Sequence, residues 1–312
     1  MSKYNLGNHD LLTSVLASLS ESKKRLDSKW FYDQAGSALF EDITELPEYY
    51  LTRTEISLLN ENIDQLQQYI PDDSILVELG SGSSLKTRIL LNKFHNLNTY
   101  LPIDISEDFL VQSSNDLALE YPKLIVDPLV ADFMLPFKFP EKHINSTKIA
   151  FFPGSTIGNL ENDKATNLLS SVYQWNKVSA FIIGIDLVKD TDMLIRAYDD
   201  SKGVSANFNL NILHRLNREI GANFNLENFT HEARWNALES RVEMHLVSVI
   251  AQIVNIGTSK FIFAAGESIH TENSHKYTPD SFAKIANQSG WNISKLISDK
   301  DDLFAIVILS PI

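Results

Sequence analysis

Short apolar runs alternate with segments of helical period through the middle of this 312-residue chain. The runs at 75–79, 99–105, 124–130, 148–154 and 180–188 read as buried strands, each with Gly, Asp or Pro within it or just after it. Leu11, Val15 and Leu19 recur at helical spacing within 10–27, and a second amphipathic segment covers 53–69 and stops at Pro71. This rhythm predicts an α/β fold with a mostly parallel, doubly wound sheet that binds its ligand outside the carboxyl ends of the strands. It breaks after 190. The stretch 191–235 reads as helical and Asn-rich, and the alternating runs 240–255 and 260–272 flank Gly257, which predicts an antiparallel hairpin. A helix over 279–287 and strands at 291–296 and 303–309 follow, the last expected to run antiparallel and close the sheet. The resulting division has three parts. Residues 1–70 form the helical start of a second domain, 71–190 with 274–312 form the sheet domain, and 191–273 form the inserted remainder of the second domain. Substrate is expected between the two domains.

With 44% hydrophobic residues the chain can bury a large core. The formal charge of −13, without a basic run, argues against a nucleic-acid substrate. The absence of cysteine removes disulfides, thiolate metal sites and cysteine nucleophiles together. No apolar run is long enough to span a bilayer, and residues 1–10 lack a signal pattern. A cytoplasmic monomer with no membrane partner is therefore expected.

The chemistry centres on Val77-Glu-Leu-Gly-Ser-Gly-Ser-Ser-Leu-Lys86. A strand that ends in a tight Gly turn and opens a helix sets backbone N–H groups beside a cofactor. Leu85 stands where a dinucleotide fingerprint needs its third glycine, and the Gly-Lys-Ser/Thr of a phosphate loop is absent. What remains fits S-adenosylmethionine. Asp104, about twenty residues on at the end of the second strand, can accept from both ribose hydroxyls. Asp132 and Phe133, after the third strand, can bond and cover an adenine.

Together with Trp30-Phe-Tyr-Asp33, Gly36-Ser, Leu46-Pro-Glu-Tyr-Tyr-Leu-Thr-Arg53, Pro153-Gly-Ser-Thr-Ile-Gly-Asn159 and Ala197-Tyr-Asp-Asp200, this loop resembles the histidine-specific methyltransferases of ergothioneine biosynthesis. The similarity spans nearly the whole chain. It implies a Rossmann-like class I methyltransferase fold with a second, substrate-binding domain. It also implies three successive methyl transfers from S-adenosylmethionine to the α-amino nitrogen of L-histidine, giving hercynine. By the same resemblance Gly80, Lys86, Asp104, Asp132 and Phe133 fall at cofactor positions, and Tyr49, Asn159, Tyr198, Glu272 and Ser274 at histidine-binding positions.

Each assignment has a physical reading. Asn159 can accept from an amine and donate to a carboxylate, and Tyr198 can donate to the same carboxylate. Glu272 and Ser274, two apart in an extended segment, share a face and can meet both imidazole nitrogens. Tyr49 can add a phenolic contact, Met244 an apolar wall, and Tyr32 can point toward the amine or the donor methyl. Asn273 stands within the Glu272–Ser274 substrate segment where an aliphatic residue is expected, and alternation sends it to the opposite face.

Other readings are N-methylation of another amino acid, such as a tryptophan derivative, and a non-catalytic cofactor-binding partner. The ring-bonding pair Glu272 and Ser274 argues against the first, and intact Asn159 and Tyr198 against the second. A metal site from His270, Glu272 and His275 fails on strand parity, so no metal is expected.

Overall fold

The computed structural model describes residues 6–82 and 84–312, so the readings of the first ten residues and of Ser83 in the glycine turn fall partly outside the described residues. In chain order the first elements are α1 (Leu6–Leu19), α2 (Gln34–Thr44), α3 (Tyr50–Gln67), β1 (Ile75–Leu79), α4 (Leu85–Lys93), β2 (Thr99–Asp104) and α5 (Glu107–Glu120). Then come β3 (Ile125–Val126), β4 (Leu129–Val130), β5 (Lys148–Phe152), α6 (Asn162–Tyr173), β6 (Val178–Asp186), α7 (Thr191–Tyr198) and α8 (Val204–Ile220). The chain finishes with β7 (Phe229–Asn236), β8 (Arg241–Ser248), β9 (Gln252–Ile256), β10 (Ser259–Phe263), β11 (Ser268–His275), α9 (Pro279–Gln288), β12 (Trp291–Ser298) and β13 (Phe304–Pro311). Among the described residues, no helix is long and apolar enough to cross a membrane.

The chain divides into two compact units, residues 1–50 with 190–274 and residues 51–189 with 275–312. The second unit holds the large sheet, ordered β12-β13-β6-β5-β1-β2-β3, with β4 also pairing β2. Strands β1 to β6 pair in parallel. Strand β13 is antiparallel as expected, but it lies between β6 and β12, so β12 forms the edge. Every residue of β1 and β5 is buried, which is why these strands read as unbroken apolar runs: helices cover both faces of a parallel sheet. The single strand expected at 124–130 is two short pieces, because Pro128 between them has no N–H to give the ladder.

The expected domain boundary at 70 moves to 50. Almost all of α3 belongs with the sheet because Glu55, 1% exposed, accepts from the Gly154 amide at 2.8 and 3.0 Å and pairs with Lys86 at 2.6 Å. A Cβ on Gly184 of β6 would lie 2.1 Å from Glu55 Oε1, so only glycine admits the carboxylate there. The sheet unit also pins the two ends of the segment it does not contain. Val188 N donates to Tyr277 O at 3.0 Å and Tyr277 N to Asp186 O at 2.9 Å. Buried Asp186 takes Lys189 on one carboxylate oxygen and Lys276 on the other, each at 2.6 Å.

In the first unit, Asp33 caps α2 by accepting from Gly36 N at 2.8 Å, and it also accepts from Asn211 at 2.8 Å and pairs with Arg218. A Cβ on Gly36 would stand 1.8 Å from the Phe31 carbonyl oxygen, so the Asp33 and Gly36 motif positions fix how the chain enters α2. The stretch expected to stay helical through Trp235 ends in strand β7 instead. Thr230, Glu232 and Arg234 do alternate with Phe229, His231, Ala233 and Trp235, but His231 and Ala233 give that inner set little apolar contrast. Each of the two long runs expected to form the hairpin is two strands. Only β9 and β10 pair around Gly257 (φ +58°), while β8 pairs antiparallel with β7 in the three-stranded order β11-β8-β7.

Candidate active site

In the sheet unit, the loop after β1 turns on Gly80 (φ +67°) and Gly82 (φ +48°), and Ser84 takes a left-handed conformation before α4. Gly82 N donates to Asp104 Oδ2 at 3.4 Å, and Ser106 N to Asp104 Oδ1 at 2.9 Å, so the loop and the end of β2 share one carboxylate. Burial raises the Asp104 pKa, and bonds from the Ser106, Gly82 and Ile105 amides oppose that shift. Phe133 meets Phe152 edge to face at 5.4 Å, and its ring edge lies 3.4 Å from where a Gly80 Cβ would stand. Asp132 accepts from Met134 N at 2.9 Å. The structure thus gathers Gly80, Asp104 and Phe133 at the carboxyl ends of neighbouring strands. Lys86 sits at the start of α4, its ammonium 3.1 Å from where a Gly154 Cβ would stand.

The loop after β5 repeats the device used after β1. Gly154 (φ +80°) and left-handed Ser155 (φ 55°) lead into a short 3-10 turn, Thr156–Asn159, that presents Asn159. A Cβ on Gly158 would lie 2.8 Å from the His275 carbonyl oxygen, so glycine lets that turn approach the returning backbone.

Glu78, beneath the first loop, accepts from Thr87 at 2.5 Å and from the Tyr100 hydroxyl. Burial pushes its pKa up to about 7 from an ordinary 4.5, against the pull of those two bonds and of Lys86. A carboxyl whose folded value is raised binds its proton more tightly in the native state, so stability falls as pH climbs from about 4.5 to about 7. Glu78→Gln is expected to flatten that part of the profile, a span of about 3 kcal/mol at most. Urea unfolding at pH 4.5, 6 and 8 measures it, and equal slopes in both proteins would give Glu78 an ordinary acidity.

In the first unit, an aromatic series links the candidate residues. Tyr32 contacts Phe40 at 5.8 Å, Phe40 contacts Tyr49 at 6.3 Å, and Tyr49 contacts Tyr198 at 6.1 Å, all edge to face. The Tyr198 hydroxyl bonds Ser274 Oγ at 2.6 Å in a buried setting. Glu272, 8% exposed, lies two residues earlier on β11. Tyr32, Tyr49, Tyr198 and Ser274 therefore belong to one cluster.

Met244 is 3% exposed, and its carbonyl accepts from Thr271 Oγ1 at 3.0 Å. His245 stacks on His270, so alternation along β8 and β11 puts Met244 and Asn273 on the face of Thr271, opposite that of His270 and Glu272.

Sequence reasoning missed Glu55, Phe40, Asn209, His231 and Phe208, whose ring contacts Tyr32 at 5.8 Å and Phe40 at 6.0 Å. His231 bonds the Tyr198 carbonyl at 2.8 Å through Nε2 and Asn209 at 2.8 Å through Nδ1. Asn209 in turn accepts from Thr271 at 2.7 Å, so a buried polar network holds the end of α7 against β11. Only the buried polar positions of an otherwise apolar helix face in α8 could have signalled it.

Comparison with known proteins follows the same lines. A histidine N-alpha-methyltransferase from Mycolicibacterium smegmatis is 39% identical over 291 residues, covering 90% of this chain and 88% of that one. An ergothioneine biosynthesis protein 1 from Neurospora crassa is 31% identical over 208 residues, 64% of this chain and 24% of that much longer one. The solved CcbJ methyltransferase from Streptomyces caelestis aligns with a TM-score of 0.51 at 13% identity, over 90% of this chain and 99% of that chain, and shares the fold. Residues 11–311 match the family described as histidine-specific, SAM-dependent methyltransferases, and the chain belongs to that family.

Proposed function

We propose that the chain methylates the α-amino nitrogen of L-histidine three times, each time from S-adenosylmethionine, to give hercynine for ergothioneine biosynthesis. The observation that carries this reading is the buried Tyr198–Ser274 bond with Glu272 two residues away on β11, in a chain of the histidine-specific family. In this reading the loop at Gly80, Asp104, Asp132 and Phe133 hold the nucleoside of the donor, and Lys86 its carboxylate. Glu272 and Ser274 take the imidazole nitrogens, with Tyr49 beside the ring. Tyr198 and Asn159 take the carboxylate and the amine. Tyr32 completes the amine side. The same reading has the protein act as a cytoplasmic monomer on the free amino acid.

Methyl transfer is an in-line displacement. The amine lone pair attacks the methyl carbon as the carbon–sulfur bond breaks, S-adenosylhomocysteine leaves, and positioning supplies most of the rate. Bonds to the imidazole and carboxylate do not use the N–H groups that disappear at each round, so recognition persists through all three transfers. Incubating the purified chain with S-adenosylmethionine and single amino acids tests the proposal by mass. Gains of one, two and three methyl groups are expected on histidine, and gains confined to another amino acid would overturn it.

The nucleophile is the neutral amine, and Asn159 offers it an amide oxygen and not a carboxylate, which leaves the ammonium unassisted. The single-turnover rate is therefore expected to rise with pH toward the amine's own titration, which in a free amino acid lies above the chain-terminal range of about 7.7–8.0 because the adjacent carboxylate favours the ammonium. A flat profile with chemistry limiting would require a dedicated base.

A further inference from the structure

We infer that Glu243, His245 and His270 bind one divalent transition-metal ion, with zinc the best match to their donor set. Glu243 and His245 are two apart on β8 and share a face, and His270 comes from the neighbouring strand β11. One ligand atom from each residue lies within 4.8 Å of the others. Zinc held at about 2.0–2.2 Å by nitrogen and oxygen brings tetrahedral ligand atoms to about 3.3 Å apart, a contraction within reach of side-chain rotation. The two imidazoles already stack, their centroids 4.9 Å apart at 20°.

The outer contacts fit a metal site. His270 Nε2 lies 3.0 Å from the Glu272 carbonyl, which can only accept, so that nitrogen carries the proton and Nδ1 keeps its lone pair. Ser268 Oγ lies 3.3 Å from His245 Nδ1, and His245 Nε2 lies 3.1 Å from Glu243 Oε2. Glu243 Oε1 accepts from Asn236 and Arg241, each at 2.9 Å, so Oε2 is the oxygen that faces the histidines. Carbonyl and hydroxyl groups behind ligating imidazoles, and donors behind a ligating carboxylate, are what orient metal ligands. Side chains 14% exposed at Glu243 and 9% at His245 leave the cluster sheltered but reachable. Three protein ligands leave a fourth position for water.

Such an ion would brace the strand that carries Glu272 and Ser274. His270 also anchors the N-terminal segment, donating from its amide to Lys24 O and accepting from Leu26 N, both at 2.9 Å. The ion would therefore join β8, β11 and residues 24–26. The metal reading from His270, Glu272 and His275 missed this set because it stayed within one strand, whereas these members come from two.

Calorimetry of the EDTA-treated full chain with zinc chloride tests the inference. One saturable equivalent is expected, accompanied by a rise in Tm, and binding should weaken at least about tenfold in both His245→Gln and His270→Gln. His214→Gln, on an exposed helix position, should leave it unchanged. In wild-type protein labelled with 15N-histidine, zinc should shift His270 Nδ1 and His245 Nε2, a readout that does not depend on the variants folding. Absence of a saturable equivalent, equal affinity in folded histidine variants, or unmoved ring nitrogens in the wild-type chain would overturn the proposal.

Discussion

Glu272→Ala is expected to weaken histidine binding by about 10- to 100-fold while S-adenosylhomocysteine still binds. The side chain is 8% exposed, so an imidazole N–H placed against it loses its partner away from water, at about 1–3 kcal/mol. Tyr198–Ser274 remains to hold the strand end. The loss should therefore fall on substrate affinity more than on folding. Glu272→Gln keeps an acceptor and should retain an intermediate affinity. Calorimetry with histidine, alongside S-adenosylhomocysteine as the folding control, reads the outcome. Wild-type histidine affinity in Glu272→Ala would remove this residue from the site.

Glu55→Ala should do broader damage, lowering stability by about 3–5 kcal/mol, because it strips a buried carboxylate from a cation and an amide at once. Lys86, its side chain 16% exposed, would lose its ion partner, and Gly154 N would lose both acceptors. Cofactor affinity should fall with stability, since Glu55 positions the lysine proposed to receive the donor's carboxylate. Glu55→Gln separates the two effects. It keeps an acceptor for Gly154 while removing the charge, so it should fold and still bind S-adenosylhomocysteine more weakly than the wild type. Thermal melts and calorimetry measure both, and full cofactor affinity in folded Glu55→Gln would leave Glu55 with a purely structural role.

The parallel half of the sheet was legible because burial on both faces writes unbroken apolar runs at β1 and β5. The loop glycines were legible for a related reason: positive φ falls at Gly80 directly after a buried strand and at Gly154 one residue past another. Strand β7 was not, since His231 and Ala233 give its inner positions little apolar contrast and its partner β8 lies across a turn. Glu55 escaped because it reads as one more acid on an amphipathic helix. Its importance depends on Gly184, more than a hundred residues away, leaving room for it. The hydroxyl pair of Tyr198 and Ser274 was named from resemblance to known enzymes, whereas the network behind it, through His231, Asn209 and Thr271, requires the fold to be seen.

The backbone bonds joining Asp186 and Val188 to Tyr277 make residues 190–274 a loop whose two feet are stapled side by side. The entropic cost of closing a loop grows only with the logarithm of its length, so the sheet tolerates a long excursion there nearly as well as a short one. On the proposed assignment of substrate recognition to this segment and donor binding to the sheet unit, recombination at those feet would exchange one recognition cassette for another while the sheet keeps its registration. The leading fifty residues, which share a compact unit with the cassette, would have to travel with it. On that assignment the arrangement would give lineages a physical route to new amine substrates by trading sequence at two junctions and the first fifty residues.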